Sequence, residues 1–151
     1  MDKTQLGEFV KSVNPDAAIV EGKQYPEVTV ADTELHSLAK KLRESEDTWF
    51  DFLVCITGVD YGDVFGVIYH LRSSKHGHMI VLKTKTSERA KPVLNSVCDI
   101  WNTAEFHERE VYDLLGVKFN HHPDLRRLFL DSSWGFPLRK DYVDDINIVS
   151  K

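Results

Sequence analysis

Three stretches of similar length, residues 49–57, 64–72 and 78–86, are rich in β-branched and aromatic side chains. Short polar turns separate them, Asp60-Tyr61-Gly62-Asp63 and the run from Ser73 to Gly77. Strands joined this closely pair antiparallel, because a parallel connection needs a crossover of a dozen or more residues. Upstream, Leu6, Phe9, Val10 and Val13 fall at i, i+3, i+4 and i+7 and predict a helix over 4–13, ended by Asn14-Pro15. Residues 17–21 and 27–31 form two β-type runs around Gly22-Lys23, a hairpin. Asp32 stands as the N-cap of a second helix, in which Leu35, Leu38, Ala39 and Leu42 repeat the helical spacing to about residue 44. Residues 87–101 are irregular, with Pro92 opposing a helix. With a further helix after residue 102, the order predicts an α+β fold: a mainly antiparallel sheet with helices on one face.

Composition narrows the function. The 151 residues suit one domain with a real core, and a net charge of −5 opposes nucleic-acid binding, which calls for a basic surface. An RNA-binding role for Arg126-Arg127 and nearby aromatics is therefore disfavoured. No apolar run approaches membrane-spanning length, and the first residues lack a signal peptide's apolar segment, so no direct membrane span is expected. Cys55 and Cys98 are too few for an iron–sulfur cluster and read as free thiols in a reducing compartment. His70, His76 and His78 gather near one turn without an acid close in sequence, and no metal ligand is assigned there.

The stretch NTAEFHEREVYDLLG, residues 102–116, predicts a helix with Asn102 as N-cap, Glu105 completing a capping box and Gly116 just past its end. At about 100° per residue, Ala104, Glu108, Val111 and Leu115 share an apolar stripe, Arg109 and Asp113 pair on the outer side, and Glu110 points away from both. His107-Glu108 begins an HExxH zinc motif, but Val111 stands where the second histidine belongs. A hydrolase built on His107 and Glu108 is accordingly disfavoured. Glu108 is the anomaly, because a carboxylate on an apolar stripe needs a cation or several donors. Arg126, Arg127, Arg139 and Lys140, all downstream, are the cations expected to lock it.

After Gly116 the chain changes character. Residues 117–151 have no sustained period, yet carry Leu125, Leu128, Phe129, Leu130, Trp134, Phe136, Leu138 and Tyr142. Apolar side chains without a local packing scheme need a surface to lie on. The expected division is an α+β domain over 1–116 and an extended partner-docking segment over 117–151. Between residues 117 and 142 this segment holds five Lys or Arg against three Asp, which suits an acidic groove on a neighbour.

The runs EREVYDLLGVKF, HPDLRRL and PLRKDY, between Trp101 and Tyr142, resemble in order and spacing the signature region of the C subunit of respiratory complex I, the proton-pumping NADH:quinone oxidoreductase. The resemblance implies a non-catalytic subunit of the peripheral arm, with no cofactor in this chain and with FMN and iron–sulfur clusters in partner subunits. It implies a place on the cytoplasmic side of the inner (cell) membrane. It also implies docking on other peripheral-arm subunits, especially the quinone-site subunit related to hydrogenase large subunits. Glu108, Arg109, Glu110, Asp113, Arg126, Arg127, Arg139, Lys140 and Asp141 are the expected interface or lock residues. Related subunits occur in energy-converting hydrogenases and in F420-linked or ferredoxin-linked complexes, the alternative assemblies.

Overall fold

A computed structural model describes residues 2–143; residues 144–151, the end of the expected docking segment, lie outside the described residues. The elements are α1 (Lys3–Val13), β1 (Ala18–Val20), β2 (Glu27–Thr29), α2 (Asp32–Glu44), β3 (Phe52–Asp60), β4 (Phe65–Arg72), β5 (Met79–Lys85), β6 (Val93–Asn95), α3 (Ala104–Leu115) and β7 (Lys118–Asn120). β1 to β5 form one sheet in the order β1-β2-β5-β4-β3, and β6 and β7 form a two-stranded ribbon. The expected meander is present: β3 and β4, then β4 and β5, pair antiparallel. The hairpin of β1 and β2 joins β5 through a parallel β2–β5 pairing, with α2 and the meander intervening in sequence.

Alternation sorts the meander into two faces. Phe65, Val67, Tyr69 and Leu71 of β4 point to the core with Ile80 and Leu82 of β5. Leu53 and Ile56 are three apart, yet both are buried, because a register shift between Leu53 and Cys55 inserts one residue and restores the phase. The helices cover this face: Leu6 and Val10 of α1, Leu35, Leu38 and Leu42 of α2, and Val111 and Leu115 of α3 join the same core cluster.

Three sequence expectations change. Asp32 is the first residue of α2, whose N-cap is Ala31. The irregular stretch 87–101 contains β6, only three residues long and invisible to periodicity. The core also continues past Gly116: β7 pairs parallel with β6, and Val117 and Phe119 are buried in the main cluster.

Gly58 of β3 sets how closely α3 approaches the sheet, because a Cβ there would lie 2.5 Å from Leu115 Cδ1 and 3.0 Å from Val111 Cγ1. Gly58→Val should therefore cost about 1–3 kcal/mol through overpacking. Urea denaturation measures it; an unchanged midpoint would mean that α3 has slack against the sheet.

Candidate functional site

α3 begins at Ala104 behind Thr103, with no side-chain cap, so the expected Asn102–Glu105 capping box does not form. Its C-terminal end is as expected: Gly116 adopts a left-handed φ of 80°, and its N–H donates to the Tyr112 carbonyl. Packed on the sheet on one side, the helix also buries Glu108, Arg109 and Asp113.

Glu108 is fully buried, as its position on the apolar stripe requires, but among the described residues no Lys or Arg forms an ion pair with it. Its Oε1 accepts from Ser96 Oγ at 2.5 Å and from the Cys98 thiol at 3.2 Å, and its Oε2 accepts from the Val97 N–H at 3.1 Å. The expected lock between Glu108 and a tail cation is thus corrected. Three donors in the turn after β6 satisfy the carboxylate instead, as charge-assisted hydrogen bonds can. Burial pushes the Glu108 carboxyl upward, partly offset by the Ser96 and Val97 bonds. Burial, with Glu108 alongside, pushes the Cys98 thiol up to about 12, so it stays a thiol at neutral pH.

The lock to the tail is carried by the two residues expected on the outer side. Arg109 and Asp113 do not face solvent as a surface pair; both are buried beneath the downstream segment. Arg109 donates from Nε to the Arg126 carbonyl at 3.2 Å and from a terminal nitrogen to the Arg127 carbonyl at 3.0 Å. Asp113 Oδ2 accepts the N–H groups of Phe129 at 2.8 Å and Leu130 at 3.1 Å. Its Oδ1 faces Arg127 Nε at 3.2 Å, an ion pair without hydrogen-bond alignment. Arg127 then fastens the turn beyond, donating to the carbonyls of Asp131 at 2.8 Å, Trp134 at 2.6 Å and Gly135.

A second clamp holds residues 136–141. Arg139 Nε donates to the Leu115 carbonyl at the end of α3, at 2.6 Å, and its guanidinium lies over the rings of Phe136 and Phe65. Asp60, at the end of β3, accepts both terminal nitrogens of Arg89, at 2.6 and 3.0 Å. It also accepts the Lys140 backbone N–H at 2.8 Å, while Arg89 reaches Asp141 at 3.1 Å. Lys140 therefore contributes through its backbone. Arg126 pairs with Asp124 on the surface, and Glu110 flanks Leu114 and Leu138 in a shallow cleft against β3; neither joins the lock.

Sequence reasoning missed Asp60, Arg89, Ser96 and Cys98 as parts of this site. Asp60 sits in a stretch that reads as a turn, and Ser96 and Cys98 are uncharged. The three grouped histidines are accounted for locally: His76 and His78 stack at 5.2 Å and meet the carbonyls of Glu46 and Thr48, and His70 meets Cys55 at 3.5 Å.

This fold is shared with a chain in the structure of the membrane-bound sulfane sulfur reductase, an archaeal respiratory membrane complex. The TM-score is 0.80 at 25% identity, over 95% of this chain and 86% of that one. Residues 28–145 match the family described as respiratory-chain NADH dehydrogenase, 30 Kd subunit, and the chain belongs to that family. The C/D subunit of NADH-quinone oxidoreductase from Phocaeicola vulgatus is 50% identical over 115 residues, 75% of this chain and 22% of that protein. The C subunit of NADH-quinone oxidoreductase from Chloroherpeton thalassium is 44% identical over 109 residues, 70% of this chain and 45% of that one. Its counterpart of the same name in Neisseria meningitidis is 40% identical over 116 residues, 70% of this chain and 59% of its own length. The chain thus spans less than two thirds of each of these relatives.

Two outcomes test the lock. Arg127→Ala leaves the buried Asp113 without its cation and should cost about 1–3 kcal/mol, whereas Arg126→Ala should be nearly neutral; chemical denaturation of the two variants compares them. Arg89, with N–H donors at Lys140 and Gly62, holds the Asp60 carboxyl well below the usual carboxylate range. A depressed folded-state value contributes stability that is present above the unfolded value, about 4, and lost as pH falls through the folded one. Asp60→Asn should therefore lower Tm at neutral pH, with the gap to wild type narrowing only below about pH 4.

Proposed function

We propose that the chain is a non-catalytic structural subunit of an NADH:quinone oxidoreductase. It braces the quinone-reducing module of the peripheral arm, which couples electron transfer from NADH to quinone with proton translocation. The observation that carries this is the way the C-terminal segment is displayed. Its main chain is gripped by α3 and β3, while Phe129 is 70% exposed, Leu138 60%, and Trp134 and Val143 also stand in solvent. Apolar side chains held outward on an anchored backbone form a docking face, since such area is normally buried in a monomer.

Its immediate neighbour is the quinone-site subunit related to hydrogenase large subunits. In the Phocaeicola vulgatus relative, the region matched here is joined to a much longer remainder under the single name of a C/D subunit, which supports a D-type subunit as that neighbour. Flavin and iron–sulfur clusters belong to the partner chains, because two cysteines cannot supply the thiolates of a typical cluster. Among the described residues no helix is long and apolar enough to cross a membrane, which is compatible with a peripheral position; the cytoplasmic side is part of the proposal. Identities of 40–50% to NADH-quinone oxidoreductase subunits favour this reading over the alternative assemblies.

Phe129→Asp combined with Leu138→Asp should leave Tm of the isolated chain within a few degrees of wild type, because both side chains already face water. The same variant should fail to co-purify with the flavin- and cluster-bearing subunits that wild type brings down. Normal assembly of the variant would overturn the docking reading. Bound flavin or iron in wild-type chain purified alone would overturn the non-catalytic one.

A further inference from the structure

Inward of the docked segment, three stretches of chain distant in sequence meet at a polar cluster. Cys98 comes from the turn after β6, Glu108 from α3 and His122 from the turn after β7. One ligand atom from each, the Cys98 sulfur, a Glu108 carboxylate oxygen and a His122 ring nitrogen, lies within 4.8 Å of the other two. The edge from Cys98 Sγ to Glu108 Oε1 is 3.2 Å. Around a tetrahedral zinc ion with bonds of about 2.0–2.3 Å, ligand atoms stand roughly 3.5 Å apart. The cluster therefore needs to contract by little more than about 1 Å to meet that geometry.

We propose that Cys98, Glu108 and His122 bind a single divalent zinc ion, with a fourth position open to water. Thiolate, imidazole and carboxylate are the donor types zinc takes, and three protein ligands with one open position is a set it accepts. One feature beyond the ligands supports the site: the Tyr69 hydroxyl, near enough to Glu108 and Cys98 to feel their charge, is buried and among the described residues has no hydrogen-bond partner, which leaves it a donor for a bound water.

On binding, the Cys98 thiol proton, now donated to Glu108, passes to solvent; the thiolate and the carboxylate then share the metal. The His122 ring meets the Glu105 carbonyl through Nε2 and accepts the Asp124 N–H at Nδ1, each at 3.0 Å. One of these bonds is exchanged for the zinc bond, so the turn at 121–124 is the part that adjusts. The ion would tie the turn after β6, α3 and the start of the C-terminal segment together, setting the direction in which that segment leaves the domain.

The test uses the full chain, stripped by chelator and titrated with zinc against a chromogenic indicator, then with cobalt followed by absorption. One equivalent of zinc should bind, and the cobalt form should show a sulfur-to-cobalt charge-transfer band with the intense visible bands of tetrahedral cobalt. Cys55→Ser, which leaves Cys98 as the sole thiol, should keep that band; its absence there overturns the proposal even if Cys98 variants fail to fold. Cys98→Ser and His122→Gln should each weaken zinc binding by more than the roughly 10–100-fold that a lost supporting hydrogen bond costs a metal site. A double variant, His76→Gln with His78→Gln, should retain one equivalent, which excludes the stacked surface pair as the ligand set. Absence of saturable binding, or binding that survives Cys98→Ser combined with His122→Gln, overturns the site.

Discussion

Burial of Asp113 governs the course of the chain after α3. A carboxylate removed from water needs several donors or a cation, and mid-helix N–H groups around it are committed to the helix's own i to i−4 bonds. The donors come from Phe129 and Leu130 and the cation from Arg127, so the segment that supplies them must cross the helix at that point. Arg109, one turn earlier, imposes the complementary condition, since its buried guanidinium needs carbonyls and takes those of Arg126 and Arg127. The two charges together fix the backbone of residues 126–130 against α3 without any regular secondary structure there. Asp60 repeats the device further along, with a strand end in place of a helix.

Much of this was legible in sequence. Periodicity located α1, α2 and the three long strands, and the stripe argument correctly placed Glu108 on the buried side of α3. What failed was the assignment of partners. A lone carboxylate on an apolar face signals a need for compensation, but uncharged donors in a turn meet that need as well as a cation does, and Ser96 and Cys98 carry no charge pattern to reveal them. Arg109 and Asp113 have the spacing of a solvated i, i+4 pair. Their burial depends on α3 being covered on a second side, a tertiary fact with no local signature. The parallel pairing of β6 with β7 was hidden for the same reason: three-residue strands have no readable period.

The family relationship and the geometry meet at one place. Residues 28–145, matched to the 30 Kd subunit family, contain α3, both clamps and the displayed apolar side chains. The resemblance in residues 101–142 therefore covers the parts of the molecule that bind the segment to its domain. Several residues whose charges first drew notice, Arg109, Asp113 and Arg127 above all, are occupied within the chain. The segment's exposed side chains include four large apolar ones, Phe129, Trp134, Leu138 and Val143.

Many of the grips on the C-terminal segment seize main chain. Arg109 holds the carbonyls of residues 126 and 127, Asp113 the amides of 129 and 130, Asp60 the amide of 140, and Arg127 the carbonyls of 131, 134 and 135. A backbone atom is the same in every residue except proline, which lacks the N–H. Anchorage and recognition are thereby written in separate alphabets. The outward letters at positions such as 129, 134 and 138 are open to rewriting for a different neighbour, while the grammar that holds the segment in place stays intact.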